Sequence, residues 1–161
     1  MAGYNVVNLN DLLEVCGEEH TKELLSNFSC PLNADVENFL HTKAIDFAAR
    51  GFAQTHLVFA SYQGKQELVG YFTLANKYIT VSMDALNSKL RSRIRQYANW
   101  DKNLKCYCLA APLIGQLGKN YTNGLNEQIT GDELLLLACK KVQSVQMAVG
   151  GRCVYLECED K

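Results

Sequence analysis

The residue types and spacings that can do chemistry in this chain gather in its last third. An almost uncharged run, residues 104–118 (LKCYCLAAPLIGQLG), leads into a polar loop carrying Gly118, Gly124 and Gly131. A helix begins at once, and Thr130-Gly131-Asp132-Glu133 has the capping-box pattern. Backbone amides exposed at a helix N-terminus cradle phosphate oxygens, and the helix dipole assists. An ordinary well-capped helix has the same pattern, so both readings stay open. The stretch is not a P-loop, because the Gly-Lys-Ser/Thr ending is missing. It is not a dinucleotide fingerprint either, because the glycine spacing fails and no suitable acidic residue follows on a second strand.

The remaining reactive side chains are dispersed. Seven cysteines are an odd number, which cannot all pair within one chain, and their spacing fits neither a disulfide framework nor a zinc site. Cys106 and Cys108 flank Tyr107 and share one strand face; the expectation is reduced, mostly buried thiols and no metal. His20 and His41 fall on helices and His56 at the start of a strand, which are structural or surface positions. Glu157 and Glu159 close the last strand, where alternation puts them on one face with Cys153 and Tyr155. Residues 87–105 carry Lys89, Arg91, Arg93, Arg95, Lys102 and Lys105 against Asp101, with Tyr97 and Trp100 beside them. Such a run makes a solvated helix face, or a surface for an acidic protein or an RNA.

These residues need a scaffold, and the chain can supply one. At 161 residues it has the length of one domain, and 48% hydrophobic content allows a sizeable core. A net charge of -1 gives no global attraction to nucleic acid or membrane. The opening MAGYNVVNLNDLLEV lacks a basic region followed by an apolar run, and no apolar stretch reaches membrane-spanning length, so a cytoplasmic, reducing setting is expected. Helical periodicity runs over residues 8–29, weakened at Gly17 so that two short helices can form, and over residues 34–49. The period then changes. Residues 55–62 (THLVFASY) and 67–78 (ELVGYFTLANKY) flank a polar turn and predict an antiparallel hairpin. Residues 82–97 read as a surface helix or irregular excursion. Residues 104–118 suit a central strand with a bulge or bend near Ala111-Pro112, where proline interrupts a regular ladder. A helix over 129–145 and a strand over 152–158 complete a crossover, which should be right-handed with parallel strands. The fold class is mixed α/β with a mostly antiparallel sheet and one β-α-β crossover over residues 104–158.

Three stretches resemble the GNAT (Gcn5-related N-acetyltransferase) superfamily, and more closely GNAT-like proteins of Gram-positive bacteria and their mobile elements. Leu57-Val58-Phe59 with Leu68-Val69-Gly70-Tyr71-Phe72-Thr73-Leu74-Ala75 resembles the family's second and third strands. Leu113-Ile114-Gly115-Gln116-Leu117-Gly118 resembles its fourth, and Gly150-Gly151-Arg152-Cys153-Val154-Tyr155-Leu156-Glu157-Cys158-Glu159 its fifth. The similarity covers roughly residues 10–160. The family's pyrophosphate loop reads Gln/Arg-x-x-Gly-x-Gly/Ala; Asn126-Glu127-Gln128-Ile129-Thr130-Gly131 matches it only at the last glycine.

The resemblance implies acetyl-CoA as cofactor and direct acyl transfer to a primary amine. It implies that Gln116, Leu117, Gly118 and Lys119 border the pantetheine arm, and that Asn126, Glu127, Gln128, Ile129, Thr130, Gly131 and Asp132 border the pyrophosphate. Glu157 is the candidate general base, and Cys108 is expected in the core rather than as an acyl carrier. Arg91, Arg95 and Trp100 are the candidate substrate- or partner-binding residues. The acceptor class stays open among a small molecule, a protein and an aminoacyl-tRNA. The family's terminal helix, with its tyrosine acid, and its terminal hairpin have no counterpart in these residues. The expectation is therefore one C-terminally incomplete domain, with three explanations open: a shortened chain, a sheet completed by another chain or a second copy, or a natural remnant with no turnover. A non-catalytic GNAT-like module binding a protein or CoA, and an RNA-associated factor using residues 87–105, are the alternatives.

Overall fold

The computed structural model describes residues 3–157. Its sheet grows from the hairpin outward. Strand β2 (Gln54–Tyr62) pairs antiparallel with β3 (Lys65–Ser82) across a turn where Gln63 and Gly64 take φ of 50° and 78°. Glycine adopts that backbone without strain. A short strand, β1 (Asn5–Asn8), adds antiparallel to the outer edge of β2. On the other side β3 pairs antiparallel with β5 (Cys106–Lys119) along nearly its whole length. β4 (Asn99–Asp101) pairs with the start of β5, and β6 (Tyr155–Leu156) lies parallel to its middle. The order is β1-β2-β3-β5-β4, with β6 also on β5.

Each face of the sheet is covered differently. On one face lie α1 (Leu9–Cys16), α2 (Glu18–Ser26), α3 (Ala34–Thr42) and α4 (Ala44–Ala49). Leu9, Leu25, Phe28, Leu40 and Ala44 from this layer pack on Leu57, Phe59 and Tyr71. The Tyr71 hydroxyl, fully buried, donates to the Val36 carbonyl at 2.5 Å, so the large ring is buried without an orphaned oxygen. On the opposite face α6 (Gly131–Val149) lays Leu134, Ala138 and Val142 on Val58, Val69, Phe72 and Ile114. Alternation along β2 and β3 thus feeds two separate cores. No helix among the described residues is long and apolar enough to cross a membrane.

The mixed α/β class, the hairpin, and the parallel β5–α6–β6 crossover agree with the expectation. So does the first helical region, which divides into two short helices at Gly17, whose φ of 80° ends α1. Other details differ. β1 was not legible, and the second helical region divides at Lys43. β3 continues to Ser82 and joins the first half of β5 in a projecting arm, which carries α5 (Ser88–Ile94) and β4. The bulge in β5 lies at Gly115–Gln116, not at Ala111–Pro112: Phe72 pairs with Leu117 and Leu74 with Ile114, so two residues of β5 face Thr73. Pro112 stays in the ladder because, among the described residues, no strand pairs with residues 109–112 on the second edge of β5. β6 is also shorter than residues 152–158, and Cys158 and Glu159 lie outside the described residues.

Of the six described cysteines, Cys30, Cys106 and Cys108 are buried, Cys153 is half-buried, and Cys16 and Cys139 are exposed. The expectation of mostly buried thiols therefore holds for half of them. Cys106 Sγ and Cys108 Sγ lie 3.7 Å apart, and burial pushes the Cys106 thiol up.

Candidate active site

The site begins where β5 and β6 part. Tyr155 pairs with Leu113 and Leu156 with Ile114, and there the pairing stops. From Gly115 to Lys119 the second edge of β5 has no strand beside it among the described residues, while its first edge stays on β3. Unpaired backbone on a strand edge is a template for another extended chain with amide groups. The bulge sits at the point of parting. Thr73, 2% exposed, accepts the Gln116 N–H on its Oγ1 at 2.8 Å, so a side chain replaces the ladder carbonyl the bulge displaces.

Close packing governs the next residues. A side chain at Gly118 would overlap Val36 on α3, and one at Gly70 would come within 2.9 Å of the Gly118 carbonyl. Gly118 lets α3 approach β5, and Gly70 lets β3 pack closely on β5 and on Leu134 of α6. Leu117 packs on the α6-side core. Lys119 Nζ donates to the Asn126 carbonyl at 3.1 Å and lies over the Tyr121 ring. Asn120, 3% exposed, ties the loop down: Nδ2 donates to the Leu68 carbonyl at 2.8 Å, and Oδ1 accepts from Ser29 and Thr122 amides.

The loop then makes 3-10 turns over Thr122–Glu127, with Leu125 and Ile129 in the core. Ile129, where the family pattern has glycine, is thus a packing anchor. Asn126, Glu127 and Gln128 follow the chain around the helix start, and the Gln128 carbonyl accepts from the Tyr4 hydroxyl at 3.1 Å. At α6 the capping box is closed in both directions: Glu133 N–H donates to Thr130 Oγ1, and Glu133 Oε2 accepts from the Thr130 amide at 2.8 Å. The Thr130 amide, then its hydroxyl and the Tyr4 hydroxyl, hold the Glu133 carboxyl below the usual carboxylate range. The Gly131 and Asp132 amides have no such side-chain partner among the described residues, and the space around Gly131 is open. The helix start therefore offers free amides beside a carboxylate.

At the near end Lys77, Tyr155 and Glu157 meet. Lys77 Nζ pairs with Glu157 Oε1 and lies 4.8 Å from the centre of the Tyr155 ring. The hydrogen bond to Glu157 raises the Lys77 ammonium pKa. Lys77 was missed in the sequence because strand pairing alone brings it across β5.

The arm borders this corner. Arg152, just before β6, lies over the Tyr97 ring at 5.8 Å. Lys89, Arg93 and Arg95 are exposed along α5. Arg91 turns inward, its Nη2 donating to the Met83 carbonyl at 2.8 Å. Trp100 is 42% exposed and packs edge-on against Tyr107 with centroids 5.0 Å apart. Arg95 and Trp100 line one shallow cavity of about 350 Å³. Among histidines, His20 is exposed beside Glu23, His41 Nε2 donates to the Phe28 carbonyl at 2.8 Å, and His56 is buried. No group of three or more metal-ligating side chains occurs among the described residues.

No family model and no curated protein matches this sequence. Solved structures do. The AtaT toxin complexed with acetyl-methionyl-tRNAfMet superposes with a TM-score of 0.64 at 17% identity, over 99% of this chain and 80% of that one. AtaTR bound with acetyl-CoA gives 0.61 at 16%, over 98% and 76%. A point mutant of KacT gives 0.66 at 14%, over 98% and 79%. The likeness establishes the fold, and it is the GNAT acetyltransferase fold.

Proposed function

We propose that this GNAT-fold chain, read as one domain, is an acyl-CoA-dependent N-acyltransferase whose acceptor is a primary amine carried on RNA. The observation that carries the reading is the parting of β5 and β6 at a bulge, with a helix N-terminus at the far end of the free strand edge. Its chemistry fits acyl-CoA. An extended pantetheine arm matches an unpaired strand edge, and a pyrophosphate matches the open Gly131 and Asp132 amides. The Glu133 carboxylate opposes the second contact and weakens it.

Acyl-CoA supplies an activated thioester carbonyl. The chain's own contribution is to hold and orient. The backbone from Gln116 to Lys119 aligns the donor, and the Thr73 hydroxyl fixes the bulge that sets its depth. Glu157, paired with Lys77, is the carboxylate at the parting of the strands and takes the proton released by the attacking amine, directly or through water. Lys89, Arg93 and Arg95 on the arm present phosphate-binding charge next to this corner, and exposed Tyr97 and Trp100 present faces on which bases stack. AtaT in complex with acetyl-methionyl-tRNAfMet supports an aminoacyl-tRNA as the acceptor.

The test is calorimetry with acetyl-CoA, followed by thiol release with aminoacyl-tRNA and with free amines. Saturable binding and tRNA-dependent thiol release are expected. Binding without release for any amine would leave a CoA-binding module. No binding at millimolar acetyl-CoA would sink the cofactor assignment.

A further inference from the structure

The face of the sheet under α6 holds a second concavity, beside the residues that precede the parting of the strands. A cavity of about 480 Å³ opens between the C-terminal half of α6, the start of β2, and the middle of β3 and β5. That volume lies in the range of small-molecule pockets. Leu74, Pro112 and Val145 form an apolar wall. His56 lines it too. Its ring is 4% exposed and stacks on Phe72 with centroids 5.0 Å apart and planes at 22°.

The polar side of the cavity is unfinished. Neither His56 ring nitrogen has a hydrogen-bond partner among the described residues, and neither is one of the fully buried unpaired atoms, so the ring's polar edge is open to the cavity that it lines. Burial, with a smaller contribution from Lys141, lowers this ring to about 4, and Asp11 opposes weakly, so the imidazole is neutral with one donor and one acceptor. Lys141 stands on α6 at the rim, exposed and without an ion-pair partner among the described residues. Asn76 adds an exposed amide. The other two rim amides are spent: Gln54 Oε1 accepts from Asn10 at 2.9 Å and Asn8 Oδ1 accepts the Asn10 N–H at 2.8 Å.

We propose that this cavity binds a small amphipathic carboxylate, its head between Lys141 Nζ and the His56 ring N–H and its short aliphatic body on Leu74, Pro112 and Val145. One full positive charge beside a neutral donor suits a monoanion better than a phosphate dianion. The lysine repels an amine, and the apolar wall favours a ligand with a hydrocarbon body over an inorganic ion.

The experiment uses the whole chain with labelled histidine and follows the His56 ring signals during titration with hexanoate. A saturable shift at millimolar hexanoate is expected. Lys141→Met, an exposed change that leaves the core intact, should weaken binding at least ten-fold and leave acetyl-CoA binding at β5 unchanged. Hexanol and inorganic phosphate should each bind at least ten-fold more weakly than hexanoate. No saturable shift, equal binding of hexanol or phosphate, or an unaffected Lys141→Met would each overturn the proposal.

Discussion

The hydroxyl of Thr73 on β3 accepts the backbone N–H of Gln116 on β5 at 2.8 Å, and this one side-chain bond occupies the gap that the bulge opens in the ladder. Thr73→Val keeps the β-branched shape and removes the acceptor, leaving a half-buried amide unpaired. The cost should be about 1–3 kcal/mol of stability. Thr73→Ser should recover most of it. If the bulge also sets donor depth, Thr73→Val should lower kcat for acyl transfer more than it raises KM for acetyl-CoA. Urea unfolding and steady-state kinetics on the three proteins check both parts, and equal stability of Val and Ser variants would refute the role given to the hydroxyl.

Gly118 is held glycine by packing. Its added Cβ in Gly118→Ala would collide with Val36, and overpacking of this kind costs about 1–3 kcal/mol. Val36→Ala alone should also destabilise, but the double variant should be more stable than the sum of the two losses predicts. A thermal-melt double-mutant cycle reads the coupling. Strict additivity would mean that the clash relaxes elsewhere.

How far the sequence reveals this site follows from which interactions are local. The β5–α6 unit was legible because an uncharged run and a capping box are both local signals, and Thr130 and Glu133 close that box as their spacing predicts. The bulge was not. Pro112 drew attention because proline breaks a ladder, yet it sits where the second edge of β5 is unpaired. The real irregularity depends on Thr73, more than forty residues away. β1 escaped notice because NVVN is only four residues long and gains its structure from pairing with β2. The arm was half legible: the alternating exposure of Lys77 to Ser82 continues the strand period, but the polar residues looked like an excursion. Asn120 and Lys77 could not be found at all, since their partners Leu68 and Glu157 are brought near only by the sheet.

Glu133 supplies a charge where a pyrophosphate would sit. Its carboxyl is held low by the Thr130 amide and hydroxyl, so it is ionised at neutral pH. Glu133→Gln preserves a capping box, because glutamine serves that role, and removes the charge. Acetyl-CoA should bind several-fold more tightly to this variant, with the gain shrinking as salt is added. Calorimetry at two salt concentrations tests it; unchanged affinity would place the pyrophosphate away from α6.

The arm's charge is separable from its fold. Arg91 braces the turn before α5 through the Met83 carbonyl, whereas Arg93 and Arg95 are exposed. Arg93→Glu with Arg95→Glu should leave the melting temperature nearly unchanged and weaken RNA binding by about ten-fold or more at moderate salt. Loss of two phosphate contacts should flatten the log–log salt dependence by about 1.4 to 1.8. Arg91→Ala should instead lower stability first. Filter binding across a salt series separates the cases, and RNA affinity indifferent to the double change would remove the arm from acceptor recognition.

His56 makes stability depend on pH with a definite sign. Its folded pKa of about 4 lies below the value near 6.5 of an unfolded histidine, so the unfolded chain takes up the proton first as pH falls. Folding stability is therefore complete above about pH 6.5 and is lost progressively down to about pH 4, by at most about 3 kcal/mol. Carboxylates such as Glu37, held low chiefly by the Cys30 amide, also cost stability on acidification, but in any variant alike. His56→Phe keeps a ring against Phe72 and removes the titration. The difference in urea midpoint between the two proteins should change across pH 7.5 to 4.5 in favour of the phenylalanine variant. Parallel pH profiles would mean that the folded ring titrates where the unfolded one does, with Asp11 offsetting burial and Lys141.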